Sequence, residues 1–539
     1  MAKTLLNSSE KSNFILNMTE ETYSKLASIG LFAACFAVPL FTILPEVDSA
    51  HTYSAASIGM AIVGVYGLIM ALIAIMKKYV RKEQLIPVLA FAVLIGWSVV
   101  SLADSYDMDI AFRGFPQRGE GVLSTLYYFG FFVTGLSIKR EKALNTVIYG
   151  VIGSGLFNSA WALIQIFTEG HKLSHYSTIS IFFDFAASGL AHSPVFLAFL
   201  LTLSMTAALV TAAVTDNNKK RIFCIVSSFI FGFVMINTLN VISIAGLIFA
   251  GIAFIAAVFV KKAPKIRLAA IAAPAAAVAI AFFCINTSTA VHSVFKYQFR
   301  DGYIIWTGDA YKRVGASGNY DPRVLNIEDV SEVYSRITKK SVNIIKKYPL
   351  TGSGPEQMEY PQIYTLKNTN GVEMENMDDI LALNHDTIDK VYNEYLYIGA
   401  TRGVISMLAL IAIMGSTVVI GYRCMRKRRT DESITLFFVA LGGALGFIIC
   451  CSSVGFAPVL WAAAGASCAN IEKIHLPKKS GSKAKSGKSQ KTAEKSGKTE
   501  DAPKAKAPEK SKKPEEKTAA KSASSVGKKK NSPGKKGKK

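Results

Sequence analysis

Long apolar runs alternate with short polar connectors over most of the chain, each run about one membrane crossing in length. A helix needs about 20 mostly apolar residues to span the hydrocarbon of a bilayer. Twelve segments fit: 25–45, 56–76, 85–103, 121–138, 144–167, 191–214, 221–238, 241–261, 267–286, 396–421, 433–451 and 454–471. Several contain Gly or Pro, which membrane helices tolerate when neighbours satisfy the backbone. Only a few residues, around Thr238-Leu239-Asn240, separate the seventh from the eighth, which leaves a hairpin or a broken helix open there. The pattern predicts an all-α polytopic membrane protein with about twelve transmembrane helices. It divides into a polar N-terminus (1–24), a nine-helix region (25–286), one large partly helical loop (287–395), a three-helix region (396–472) and a Lys-rich tail (473–539).

Composition supports this. Half of the 539 residues are hydrophobic and 18% are charged, against about 25% in soluble domains. The net charge of +23 suggests nucleic acid until it is located. Residues 478–539 hold 22 Lys against 6 Asp and Glu, a net +16, which leaves +7 on everything else. The basicity is mostly a tail, so a globally basic nucleic-acid binder is excluded.

Lys and Arg in short loops set orientation. Basic residues follow spans two (Lys77, Lys78, Arg81, Lys82), four (Lys139, Arg140, Lys142), six (Lys219, Lys220, Arg221), eight (Lys261, Lys262, Lys265, Arg267) and ten (Arg423, Arg426, Lys427, Arg428, Arg429). Odd loops carry Glu46, Asp48, Asp104, Asp107 and Asp109. The expectation is a cell membrane protein with both termini cytoplasmic and residues 287–395 outside. Residues 1–23 are polar, with no cleavage site of signal-peptide type. The seven cysteines avoid the large loop, and no His/Cys cluster suggests a metal.

The tail is rich in Lys, Ser, Ala, Pro and Gly without hydrophobic periodicity, a composition expected to be disordered. Gly481 to Ser489 resembles a phosphate loop but has five residues between its glycines rather than four, and no preceding strand. Anionic lipid is the natural partner of such a tail; ribosomal RNA or an acidic protein is the alternative, and no specific nucleic-acid site is expected.

The large loop holds 12 Lys/Arg and 15 Asp/Glu. Loops this long are usually functional or disordered. Apolar spacing at Val330, Val333, Ile337, Val342 and Ile345 predicts a helix over 328–347, stopping before Pro349, with Gly352 and Gly354 making a tight turn. A second helix is expected over 384–398, running into span ten. On the first helix Arg336 and Lys340 share a face, with Lys339, Lys346 and Lys347 more loosely placed. That face suits either plain solvation or a phosphate, for which arginine offers bidentate geometry. Near span ten, His385, Asp386, Asp389, Tyr392, Asn393, Glu394 and Tyr395 gather at the membrane rim. They read either as an interfacial belt or as a site where a general base accepts a hydroxyl proton.

In their order, these segments resemble the O-antigen ligase/polymerase family of bacterial membrane glycosyltransferases, in its Gram-positive form. Arg336 stands where the family opens a loop helix with arginine. Pro349-Leu350-Thr351-Gly352-Ser353-Gly354-Pro355 is similar to its "PLLGSGP" turn. Asp389-Lys390-Val391-Tyr392-Asn393-Glu394-Tyr395-Leu396, followed by Thr401-Arg402-Gly403, is similar to its "DKPHNEYL" segment and later "TG". Ser188-Gly189-Leu190-Ala191-His192-Ser193-Pro194 and Ala457-Pro458-Val459-Leu460-Trp461 are looser echoes, and the likeness covers residues 185–465.

The resemblance implies transfer of a glycan from an undecaprenyl-diphosphate carrier to a glycan, lipid or protein acceptor hydroxyl outside the membrane, without cofactor or metal. It assigns the diphosphate to Arg336, with Lys340 and Lys339 added from helix spacing. The acceptor end falls to Tyr392, Asn393 and Glu394, with His385 nearby. The turn residues are Pro349, Gly352, Gly354 and Pro355. Two departures stand out. The family's histidine is Tyr392 here, and a phenol with pKa of about 10 is a poor base, so either Tyr392 only orients the acceptor, or Glu394 or His385 serves as base, or activity is lost. A family arginine near a middle span is missing at Asn240-Val241-Ile242-Ser243, so Arg300 or Arg113 would have to substitute. The competing expectations are a non-catalytic family member in envelope assembly and a transporter. Carriers usually place ionisable residues inside spans, and the expected spans hold almost none.

Overall fold

The computed structural model describes residues 17–43, 55–114, 119–167, 187–238, 240–287, 296–300, 303–307, 327–358 and 390–469. The Lys-rich segment 473–539 and His385 lie outside the described residues.

The helices follow the hydrophobic runs. They are α1 (Glu20–Thr42), α2 (Ala55–Met76), α3 (Leu85–Val100), the short α4 (Met108–Arg113), α5 (Val122–Leu136), α6 (Glu141–Phe167), α7 (Pro194–Val214), α8 (Asn218–Asn237), α9 (Val241–Lys261) and α10 (Ala272–Thr287). A hairpin, β1 (Lys296–Arg300) and β2 (Tyr303–Thr307), precedes α11 (Ile327–Lys347), α12 (Glu394–Arg428), α13 (Asp431–Gly446) and α14 (Ala457–Ser467). Among the described residues, nine helical segments are long and apolar enough to cross a membrane. The outer face of α2 shows why the surroundings are apolar. Ile58, Ile62, Val65, Ile69, Leu72 and Met76 recur at helical spacing and are all exposed, while Met60, Met70, Ala71 and Ala74 on the other face are buried. A helix that is apolar on both faces at the protein surface needs hydrocarbon as its solvent.

The core is built around α7, buried from Val195 to Val214 and packed by α6, α8, α9 and α13. Small residues bring backbones together: a Cβ on Gly130 of α5 would stand 2.8 Å from Leu68 N in α2, the close approach that lets membrane helices associate. Three expected spans form helices of 15, 16 and 11 residues, α5, α13 and α14. At about 1.5 Å per residue they rise roughly 17–24 Å, less than a full hydrocarbon core. The non-helical stretch Cys450–Phe456 between the last two is buried in protein, where irregular backbone is tolerated at membrane depth.

The loop region matches in one helix and differs in the other. Helix α11 ends at Lys347, just ahead of Pro349. The helix expected over 384–398 instead begins at Glu394, because Asn393 caps it: its side chain accepts from the Leu396 N–H at 3.1 Å. The hairpin, with Arg300 paired to Tyr303, was not expected from periodicity. Its sequence signal is Asp301-Gly302 between aromatic-rich runs.

Candidate functional site

The site is organised by a break in α12. Gly403 leaves the helical region (φ 81°, ψ 169°), so Val404 N–H cannot reach Ala400 C=O four residues back. The turn after α11 takes up both groups. Val404 N–H donates to Pro349 O at 2.8 Å, and Ser353 N–H donates to Ala400 O at 3.0 Å. Trp97 Nε1 on α3 donates to Leu350 O at 2.7 Å. Glycine is required at the contact: a Cβ on Gly403 would stand 1.8 Å from Leu350 O, and one on Gly352 (φ 69°) 2.4 Å from Thr401 C.

The turn then runs inward. Gly352 to Met358 are buried, while Pro349 and Leu350 are exposed. Gln357 Oε1 accepts from the N–H groups of Tyr106 and Asp107 at 2.6 and 3.1 Å. Thr351 donates to Asp104. This holds Glu356, itself at φ 61°, against α12. Glu356 Oε1 accepts from the Tyr397 hydroxyl at 2.8 Å and lies 3.6 Å from Lys390 Nζ. Lys390 also donates to Ser452 O at 2.8 Å.

Glu394 opens α12 beside this pair. Its backbone N–H donates to Phe447 O at 2.8 Å, and its Oε2 accepts from Ser452 N–H at 2.7 Å. Two turns on, Arg402 donates to Thr125 Oγ1 at 2.7 Å, Ser98 Oγ at 3.1 Å and Glu120 O at 2.8 Å. Glu120 accepts from the Tyr128 hydroxyl at 2.6 Å. Three carboxyls and two cations (Glu120, Glu356, Glu394, Lys390 and Arg402) are thus all 5% exposed or less.

A cavity of about 20 Å³ lies among Glu120, Thr125, Glu394, Arg402, Ser452 and Trp461. That is room for about one water. Arg402 Nε, Ser452 Oγ and Trp461 Nε1 have no hydrogen-bond partner among the described residues, so the cavity walls carry donors as well as carboxyls. Three buried carboxyls cannot all ionise against two cations without a heavy desolvation penalty. Burial, opposed by Lys390 and the Tyr128 hydrogen bond, pushes Glu120 up to about 7. Glu120 can therefore hold and release a proton near neutrality.

The chain matches no protein-family model and no curated protein.

The turn residue Gly352 lies against Thr401 of α12 and Gly354 against Ser105, while Glu356, next after Pro355, reaches Tyr397 and Lys390 on either side of Glu394. Tyr392 is buried beside Val391. Asn393 is half-buried and serves as the cap of α12. Of the expected phosphate ligands, Lys339 is exposed and Lys340 half-buried on α11, whose inner face (Ile337, Ser341, Ile344) is buried. Arg336 lies on the same helix and Arg300 in β1; the placement of both side chains lies outside what is described. Arg402, inside the expected tenth span, and Glu394, two residues before it, are both buried in α12. The sequence reading missed the roles of Glu120, Glu356, Lys390 and Arg402. A lone Arg402 ahead of an uncharged apolar run was the available signal; Glu120, between Gly119 and Gly121, gave none.

Proposed function

We propose that the chain is a membrane glycan transferase of O-antigen ligase/polymerase type, with twelve crossings, both termini cytoplasmic and residues 287–395 outside the cell membrane. The observation that supports it best is the exchange of hydrogen bonds at Gly403. Two segments carrying the family resemblance, about fifty residues apart, complete one another's backbone bonding there.

In this reading the acceptor hydroxyl oxygen attacks the anomeric carbon of the glycan. The bond from that carbon to the diphosphate oxygen breaks, and undecaprenyl diphosphate leaves with the electron pair. The hydroxyl proton passes to Glu394 through a water in the adjoining cavity, within the one-water reach of a general base. Tyr392 orients the acceptor. Both buried cations are engaged by protein groups, so the leaving diphosphate is met from α11, by Arg336, Lys339 and Lys340. Electrostatic stabilisation of that leaving charge is the larger share of the catalysis.

The test is a deletion strain complemented with wild type, Arg336→Ala, Tyr392→Phe or Glu394→Gln. Carrier-linked glycan is measured against glycan delivered to the envelope, with membrane levels checked by blot. The expected result is carrier-linked glycan accumulating in Arg336→Ala and Glu394→Gln at normal protein levels. Unchanged envelope glycan on deletion would overturn the reading. The buried carboxyl cluster favours one second reading, a proton-coupled carrier; it predicts solute uptake driven by a pH gradient in reconstituted vesicles and abolished by Glu394→Gln.

A further inference from the structure

The far end of α12 carries a second charged region that the transfer reading does not use. Residues 403–422 hold no charged side chain, and Arg402 and Arg423 bracket them. At about 1.5 Å per residue this run is roughly 30 Å long, the thickness of a bilayer's hydrocarbon. Arg423 and the residues after it therefore lie at the level of lipid headgroups.

A groove of about 610 Å³ opens there between α12 and α13. Its apolar wall is Val418, Val419, Tyr422 and Phe437, with the Tyr422 and Phe437 rings 5.9 Å apart. Its basic wall is Arg423, Arg426 and Lys427, one helical turn further along. These three are exposed and make no hydrogen bond or ion pair among the described residues. Their neighbours are differently occupied: Arg428 donates to Ala469 O at 2.7 Å, and Asp431, one of two acids in the first turn of α13, is held by Lys261 at 2.7 Å. The basic wall thus faces the groove with no acid among the described residues taking up its charge.

We propose that this groove is a binding site for an anionic phospholipid. The phosphate meets Arg423 and Arg426, whose guanidinium groups offer bidentate bonds to its oxygens, and the Lys427 ammonium, which adds a point charge. The first methylenes of an acyl chain lie along Val418, Val419 and Phe437. The order of the two walls matches the order of the lipid, charge outermost and hydrocarbon inward. Charge complementarity selects the occupant. A zwitterionic lipid brings a cation to a wall that already holds three.

The test uses the purified full-length protein in neutral detergent. Native mass spectrometry follows titration with phosphatidylglycerol or with phosphatidylcholine of the same acyl chains. The wild type is expected to retain one phosphatidylglycerol in preference to phosphatidylcholine. Each cation near an anionic lipid contributes roughly a fivefold factor, so Arg423→Gln/Arg426→Gln/Lys427→Gln lowers occupancy at least about tenfold. Val419→Trp, which fills the groove and keeps every charge, lowers it too. Neutralising Lys77, Lys78 and Lys82 to Gln, at another basic loop, leaves it unchanged. The proposal is overturned if phosphatidylcholine binds equally, if the two triple variants lose lipid alike, if Val419→Trp retains it, or if undecaprenyl phosphate displaces phosphatidylglycerol at lower concentration.

Discussion

In the first turns of α12, Glu394 and Arg402 are 5% and 3% exposed; Glu394 Oε2 accepts from a backbone N–H, and both terminal nitrogens of Arg402 donate to hydroxyls or carbonyls. In its last turns, Arg423, Arg426 and Lys427 are exposed and meet nothing among the described residues. One helix thus carries charge under two regimes. Burial makes a partner obligatory, because an uncompensated charge away from water is heavily penalised. Exposure makes a partner optional, and an unpartnered cation stays available to a ligand. Charge alone does not mark a site; what the charge is already doing decides whether it stabilises the fold, moves a proton or binds something.

Substitution at the two ends should separate these regimes. Arg402→Met strands the Glu120 and Gly121 carbonyls and two hydroxyls, and a loss of about 3–5 kcal/mol is expected. Thermal unfolding of the purified protein beside Arg426→Met measures it, and equal midpoints for the two variants would erase the contrast.

Proton linkage gives the next effect. Glu120 is raised from 4.5 to about 7, so between those values the folded state holds a proton that the unfolded state has released. Stability therefore falls as pH rises from about 4.5 to about 7 and is level above, by up to about 3 kcal/mol. Glu120→Gln flattens that slope. Unfolding midpoints that run parallel for the two proteins across this range would show that Glu120 is not the group responsible.

The backbone junction comes third. Gly403→Ala places a methyl against Leu350 O at a positive φ, and a loss of about 1–3 kcal/mol is expected. Limited proteolysis should then cut near Leu350 sooner than in the wild type. The smallest effect is at the groove. Arg426→Gln should leave stability within about 0.5 kcal/mol of wild type while weakening lipid retention. A shift in its unfolding midpoint as large as that of Arg402→Met would mean the exposed end is structural after all.

Much of this was legible in the sequence, for identifiable reasons. Period and length gave α2, α9 and α11 nearly to the residue, since an apolar run in lipid has few other structures open to it. Pro349 ended α11 on local sterics alone. The start of α12 was misjudged by ten residues, because the choice between continuing a helix and capping it at Asn393 turns on one side-chain bond. The candidate site was half visible. The segments around Gly352 and Glu394 could be picked out, yet nothing local says that Glu120, more than two hundred residues earlier, lines the same cavity. Arg402 was quoted as part of a motif and given no role, because its partners Ser98, Thr125 and Glu120 are contributed by tertiary packing.

The exchange at Gly403 also ties two elements into one unit. Val404 N–H and Ala400 O lack their helical partners and bond the turn instead. A turn that is displaced leaves both groups unpaired, at about 1–3 kcal/mol each where they are buried, unless α12 straightens to pair them with each other. The kink and the turn therefore stand or fall together: whatever frees the 349–353 segment also removes the reason for the bend in α12.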